Sequence, residues 1–154
     1  ECLVDMQIQA HIPDRYIENL SQRLEIYRRI ADIRTRDDAL DVTDELIDRF
    51  GEPPESVNGL IEVALLRNLA SGLGISEVKQ RDDCLLLYKP GFSLKNSADM
   101  AQMAALTSTL KKRVTLNASG KPYISVKIVS PMTPLDVLGE TLNLMEDARK
   151  SVKK

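Results

Sequence analysis

The sequence predicts an α+β fold: an N-terminal strand and a three-helix region, then a hairpin–helix–hairpin–helix lobe with a largely antiparallel sheet. Three observations carry this. Apolar residues recur at helical spacing between Asp14 and Gly74. After Gly74, two pairs of short apolar runs each flank a polar turn. The 154 residues, 43% hydrophobic and 29% charged, suit one globular domain that buries roughly two thirds of its unfolded surface. One domain over 1–154 is expected, with a helical subregion 14–74 and a sheet-helix subregion 75–154.

Residues Leu3–Ala10 alternate apolar and polar through Val4, Met6, Ile8 and Ala10, the period of a half-buried strand that ends at Pro13. From Asp14 the spacing changes to Ile17, Leu20, Leu24, Tyr27 and Ala31, widened by Ile26, Ile30 and Ile33, which predicts a first helix of about twenty residues. Glu25 and Arg29 form an i,i+4 pair in the favoured order. Thr35 with Asp38 resembles a capping box opening a second helix, which should turn Ala39, Leu40, Leu46, Ile47 and Phe50 inward and close at Gly51. Pro53 and Pro54 start a third, about Glu55–Leu73, apolar almost all round and so central to the core; it stops at Gly74. Arg67 is its only cation, so a buried or half-buried ion pair with a carboxylate of a neighbouring element is expected.

In the second half, Ile75–Gln80 and Cys84–Tyr88 flank Arg81-Asp82-Asp83, and Val114–Leu116 and Tyr123–Ile128 flank Asn117–Gly120. A helix from Ser97 to about Arg113 separates these hairpins. A last helix opens at Thr133-Pro134-Leu135-Asp136, where a capping hydroxyl, a proline at the first helical position and an acid in the first turn agree. The basic end Lys150–Lys154 reads as a frayed tail. No repeat or low-complexity segment is present.

Composition narrows the function classes. No apolar run approaches the ~20 residues of a membrane span and no secretory leader is evident, so a cytoplasmic location is expected. Cys2 and Cys84 lie far apart without a CxxC, which argues against a disulfide framework or a zinc site. The first residue is not Met, suggesting a processed chain or a piece of a longer one. The near-neutral total, 21 basic against 23 acidic side chains, hides a split: residues 1–74 carry 15 acids and 8 bases, residues 75–154 carry 8 acids and 13 bases. All eight bases of the first half are Arg, whereas ten of the thirteen in the second are Lys. The first half therefore reads as laced by Arg–carboxylate pairs, with chance usage the alternative.

A catalytic group, metal or cofactor site is not expected. There is no phosphate loop, dinucleotide-binding glycine motif, nucleophile elbow or zinc-protease motif. His11 has no second histidine to share a metal. Cys84 sits in an apolar run where a small buried hydrophobe is the natural role. Lys111, Lys112 and Arg113, with Lys89, Lys95 and Lys121, are candidates for phosphate contact. Aromatic platforms are scarce, however, and cations in a helix's last turn also complement its dipole.

One segment is unusual. Between Arg36 and Arg49 the second helix carries Asp37, Asp38, Asp41, Asp44, Glu45 and Asp48 and no cation. Steps of three and four align Asp37, Asp41, Asp44, Glu45 and Asp48 opposite Leu46 and Phe50, and also opposite the expected inward Leu40 and Ile47. Asp44, Glu45 and Asp48 lie beyond the reach of the helix N-terminal dipole and repel one another. Two readings stand: a solvated face paired with arginines of the first helix, or a docking surface for a basic partner. Calcium is disfavoured, since a regular helix spaces carboxylates poorly for wrapping an ion.

Several stretches carry a resemblance: Ile12-Pro13-Asp14-Arg15-Tyr16-Ile17, the run Arg23 to Ile30, Glu45-Leu46-Ile47-Asp48-Arg49-Phe50-Gly51 with Pro54, and Leu66-Arg67 followed by Leu73-Gly74-Ile75. Together they resemble the C-terminal domain of the bacterial transcription-repair coupling factor (Mfd) family over residues 3–80. Beyond residue 80 the likeness is one of element pattern alone. That family's full-length members are ATP-driven DNA translocases that displace stalled RNA polymerase and recruit UvrA. Their motor motifs are absent here, so the resemblance implies the terminal domain of such a multidomain protein. It further implies a non-catalytic, autoinhibitory role, in which the domain packs on the N-terminal UvrB-like module and hides the surface that UvrA binds until polymerase is engaged. It assigns Glu45 and Asp48 to contacts with basic residues of that module; Asp41 and Asp44 are added from helical geometry. No membrane and no direct nucleic-acid partner is expected. The alternative is a nucleic-acid-binding accessory module using the basic second half, which predicts salt-sensitive DNA binding.

Overall fold

The computed structural model describes residues 1–153. The order is β1 (Leu3–Asp5), α1 (Leu20–Ala31), α2 (Arg36–Phe50), α3 (Glu55–Gly72), β2 (Glu77–Arg81), β3 (Cys84–Tyr88), α4 (Ser97–Leu110), β4 (Val114–Asn117), β5 (Tyr123–Lys127) and α5 (Pro134–Lys153). Two compact units result, one over Ile8–Asn68 and one over Glu1–Gln7 with the chain from Leu69 onward. The division between the units falls inside α3, between Asn68 and Leu69, and β1 groups with the sheet.

In the helical unit, Asn19 caps α1 by accepting from the Gln22 N–H, so the helix begins at Leu20 and not at Asp14. Residues 14–17 form a turn on Pro13, whose carbonyl accepts from the Tyr16 and Ile17 N–H groups. The buried stripe of α1 is Ile26 and Ile30, with half-buried Tyr27 beside it. Leu20 and Leu24, expected inside, are 60% and 45% exposed. Measured from the midline between Ile26 and Ile30, they lie roughly 100° and 140° around the helix, because each residue steps about 100°. Ile12, Ile17, Ile33, Ala39, Val42, Leu46, Val57 and Ile61 complete the core. Leu46 alone, fully buried, contributes about 1.5–3 kcal/mol of apolar burial.

The predicted strand Leu3–Ala10 is only three residues long. Inward alternation does persist, with Cys2, Val4, Met6, Ile8 and Ala10 each less exposed than their neighbours. Ladder partners run out, however: β1 pairs with β2 in parallel only from Leu3↔Glu77 to Asp5↔Lys79. Further on, the His11 N–H donates to the Ser56 carbonyl of α3, 3.1 Å away, instead of to a strand.

The sheet runs β1-β2-β3-β5-β4, and every neighbour pair except β1–β2 is antiparallel. Register places Val78, Leu85, Leu87, Ile124 and Val126 on one face, all buried, and Leu106, Leu110, Val137, Leu138, Leu142 and Met145 of α4 and α5 are buried in the same unit. The first hairpin turns on Asp82 and Asp83 alone, with Arg81 paired to Cys84. Asp82 takes a left-handed φ of 54°, which Asp tolerates. α4 ends at Leu110, and Lys111–Arg113 form a separate 3-10 turn entered through Lys111 at φ 54°. The expected capping hydroxyl of Thr133 accepts from the Asp136 N–H at 3.1 Å, and the Asp136 carboxylate in turn accepts from the Thr133 N–H at 3.0 Å. The frayed tail is corrected: α5 runs on to Lys153, past an Arg149 that donates to the Gly72 carbonyl (2.9 Å) and pairs with Glu146 (2.6 Å). Lys154 lies outside the described residues.

Candidate functional site

Helix α2 is fixed at both ends. The Thr35 hydroxyl accepts from the Asp38 N–H at 3.1 Å, and the Asp38 carboxylate accepts from the N–H groups of Arg34 (3.0 Å) and Thr35 (3.1 Å). Those backbone donors hold the Asp38 carboxyl below its ordinary range. A group depressed in this way adds stability above its unfolded pKa and loses it as pH falls through the folded one. Thermal melts between about pH 5 and pH 2 should therefore show a loss of stability that is shallower in Asp38→Asn, and superimposable slopes would refute this. At the other end Gly51 adopts φ 85°, ψ −173°, a region open essentially to glycine alone, and the Tyr16 hydroxyl donates to its carbonyl at 2.7 Å. Burial and, behind it, the charge of Glu52 raise the Tyr16 pKa, which keeps that donor protonated.

The inward face of α2 is Ala39, Val42 and Leu46, with Phe50 half-buried. Leu40 (54% exposed) and Ile47 (41%) were expected inside and lie in solvent. Spacings of three and four from Ala39 to Val42 to Leu46 to Phe50 define one stripe, and Leu40 and Ile47, seven apart, define a second beside the acids. Asp41, Asp44 and Asp48 are exposed, and among the described residues no ion pair or side-chain hydrogen bond engages them.

Glu45 stands apart from the other three. Half-buried on the flank of α2 facing α1, it accepts from Arg29 and, at 2.8 Å, from Arg49. Arg49 also reaches Glu25 at 3.3 Å and sits 4.9 Å over the Phe50 ring. The expected Glu25–Arg29 pair is replaced by two pairs that cross between the helices. With side chains 31–54% exposed, each contributes only about 0.2–1 kcal/mol. The arginine-paired reading thus applies to Glu45, while Asp41, Asp44 and Asp48 keep a free acidic ridge flanked by two apolar side chains.

Arg67 is half-buried, but among the described residues no carboxylate pairs with it, which corrects the expected ion pair. The ion pair that α3 does make is Glu62 with Arg36, at 3.1 Å. A long arginine that is only half-buried can keep its charge hydrated and needs no buried counter-ion. His11 is exposed, and Cys84 is a half-buried thiol.

Two of the six candidate phosphate contacts are committed internally. Lys89 pairs with Asp99 at 3.0 Å and donates to Gln102 at 2.9 Å, and Arg113 meets Glu140 at 3.5 Å. Lys95, Lys111, Lys112 and Lys121 are exposed. No sequence signal marks the Lys89–Asp99 pair, since a lysine and an aspartate ten apart across a Pro-Gly loop share no local pattern. A cleft of about 270 Å³ beside the end of α1 is lined by Asp32, Asp38 and Asp41 together with Arg29. Among the described residues no group of three or more ligating side chains is placed to hold a metal, and no helix is long and apolar enough to cross a membrane.

The TRCF domain model matches residues 6–103. Over 156 aligned residues, covering all of this chain and 13% of the relative, the sequence is 28% identical to the transcription-repair-coupling factor of Bacillus subtilis (strain 168). Over 81 residues, 53% of this chain and 7% of the relative, it is 35% identical to that of Staphylococcus aureus (strain USA300). The fold matches a crystal structure of the C-terminal domain of a transcription-repair coupling factor with a TM-score of 0.84 at 23% identity, covering 97% of this chain and 94% of that one. The chain spans 13% or less of the length of these curated relatives.

Proposed function

This chain belongs to the TRCF domain family, and on that premise we propose that it is the non-catalytic, autoinhibitory C-terminal domain of a cytoplasmic transcription-repair coupling factor. In this reading the acidic face of α2, Asp41, Asp44, Glu45 and Asp48, clamps a basic surface of the parent's N-terminal UvrB-like module and masks the surface for UvrA until RNA polymerase is engaged. The observation that carries it is the ridge of Asp41, Asp44 and Asp48: three exposed carboxylates within two turns, without a cation of their own and beside exposed Leu40 and Ile47. Like charges at such spacing cost stability unless an external cation meets them. Glu45, braced by Arg29 and Arg49, presents only part of its charge to a partner and holds α2 against α1.

The clamp can be weak because it is tethered, which supplies an effective concentration on the millimolar scale. A masking contact of about 1–3 kcal/mol closes a competing site by roughly 5- to 150-fold. The test is a titration of UvrA against the parent protein, wild-type and with Asp44→Ala and Asp48→Ala together. The double variant should bind UvrA more tightly by up to that factor, while melts of the domain stay unchanged to within about 0.5 kcal/mol. Equal UvrA affinity with an intact fold would return these acids to a solvated face. The reading as a nucleic-acid module is weakened by the internal commitment of Lys89 and Arg113.

A further inference from the structure

The exposed side of α4 is unlike the rest of this charged surface. Asp99, Gln102, Leu106 and Leu110 are buried, so Met100, Ala104, Thr107 and Ser108 face outward, and none carries a charge. Met100 is 51% exposed and Leu94, just before the helix, 47%. With Met103 they line a shallow trough of about 520 Å³. Along the chain the charges nearest to it flank α4: Lys95 before the helix, and Lys111 and Lys112 after it, all exposed, with the Lys111 ammonium 3.4 Å from the carbonyl of Ser108, which lines the trough. The one acid between residues 93 and 113, Asp99, is buried and occupied by Lys89 and the Ser93 N–H.

We propose that this trough docks an amphipathic helix whose apolar side is flanked at both ends by acidic residues. Exposed apolar patches of this kind mark interaction sites, and methionines adapt to the side chains that enter. The fourteen residues of α4 span roughly 20 Å, so the occupant needs acids about four turns apart. Charge also excludes a second copy as the natural occupant. Two α4 faces laid together would set Lys95 against Lys111 and Lys112 when antiparallel, and like against like when parallel. This surface lies in the sheet unit and is independent of the α2 reading.

The test is fluorescence anisotropy with two labelled synthetic helical peptides of about 18 residues, identical in their leucine face but carrying Glu or Lys at both ends. At about 50 mM salt the Glu peptide should bind the chain at least roughly tenfold more tightly than the Lys peptide. Met100→Glu, and separately Lys111→Glu with Lys112→Glu, should weaken it by at least roughly tenfold, while Lys150→Glu on α5 leaves it unchanged. Circular dichroism checks that each variant is folded. Equal or absent binding of the two peptides overturns the proposal, as does Glu-peptide binding indifferent to Met100→Glu. Self-association abolished by Met100→Glu would assign the face to a second copy. Met100-dependent binding to phosphatidylserine vesicles without peptide binding would assign it to a membrane surface.

Discussion

Asp99→Ala is expected to destabilise the protein by about 3–5 kcal/mol, read as a fall in the urea midpoint at neutral pH. The side chains of Lys89 and Asp99 are only 13% and 10% exposed, and their 3.0 Å contact joins the segment leaving β3 to the first turn of α4. The same carboxylate accepts from the Ser93 N–H at 3.0 Å and sits three residues after the cap Asn96, where the helix N-terminus favours an anion. Removing it strands the Lys89 ammonium against Gln102, itself 2% exposed. Asp99→Asn keeps an acceptor for Ser93 and should lose less. In a double-mutant cycle, Lys89→Met with Asp99→Leu should cost clearly less than the sum of the single changes, since no charge is then left buried alone. Additive losses would show that the pair is not coupled.

The second large effect is a pair of opposite signs from one chemical change. A Cβ placed on Gly59 in the second turn of α3 would stand 2.7 Å from the backbone carbonyl oxygen of Gln9, which cannot swing aside as a side chain does. Gly59→Ala should therefore cost about 1–3 kcal/mol through displacement of residues 8–11, less the helical preference that alanine brings. At Gly72, in the last turn of α3, the added methyl meets nothing within 4 Å, and Gly72→Ala should stabilise by about 0.4–1 kcal/mol. Denaturant melts of both variants decide it. Stabilisation of both would mean that the 8–11 segment yields freely and does not hold α3 in place.

Part of the candidate site was legible in advance. The Thr35–Asp38 box that starts α2, the Gly51 that ends it and the acids between them are signals carried within four residues, and each appears in the structure. Which apolar residues of α2 point inward is less legible, because Leu40 and Ile47 are as hydrophobic as Leu46. Only the packing of Ala39, Val42 and Leu46 against the Ile26, Ile30 and Ile61 cluster selects one stripe over the other. Arg67 is misleading for a related reason: a cation in an apolar run signals a buried pair, yet a half-buried arginine can keep its charge hydrated.

By itself the sequence determined the α+β class, the helix starts at Thr35 and Thr133, both hairpins, and the acidic character of the α2 face. These depend on propensity, capping and hydrophobic period, interactions that span a few residues and act before distant elements meet. The tertiary structure alone decided that Glu45 answers to Arg29 and Arg49 while Asp41, Asp44 and Asp48 answer to nothing within the described chain, that Lys89 is spent on Asp99, and that the Gln9 carbonyl crowds position 59. A long charged side chain reaches several carboxylates with nearly equal Coulomb energy in water. The choice among them is made by which elements hydrophobic packing brings within about 4 Å, and that distance is not written into any local run of residues.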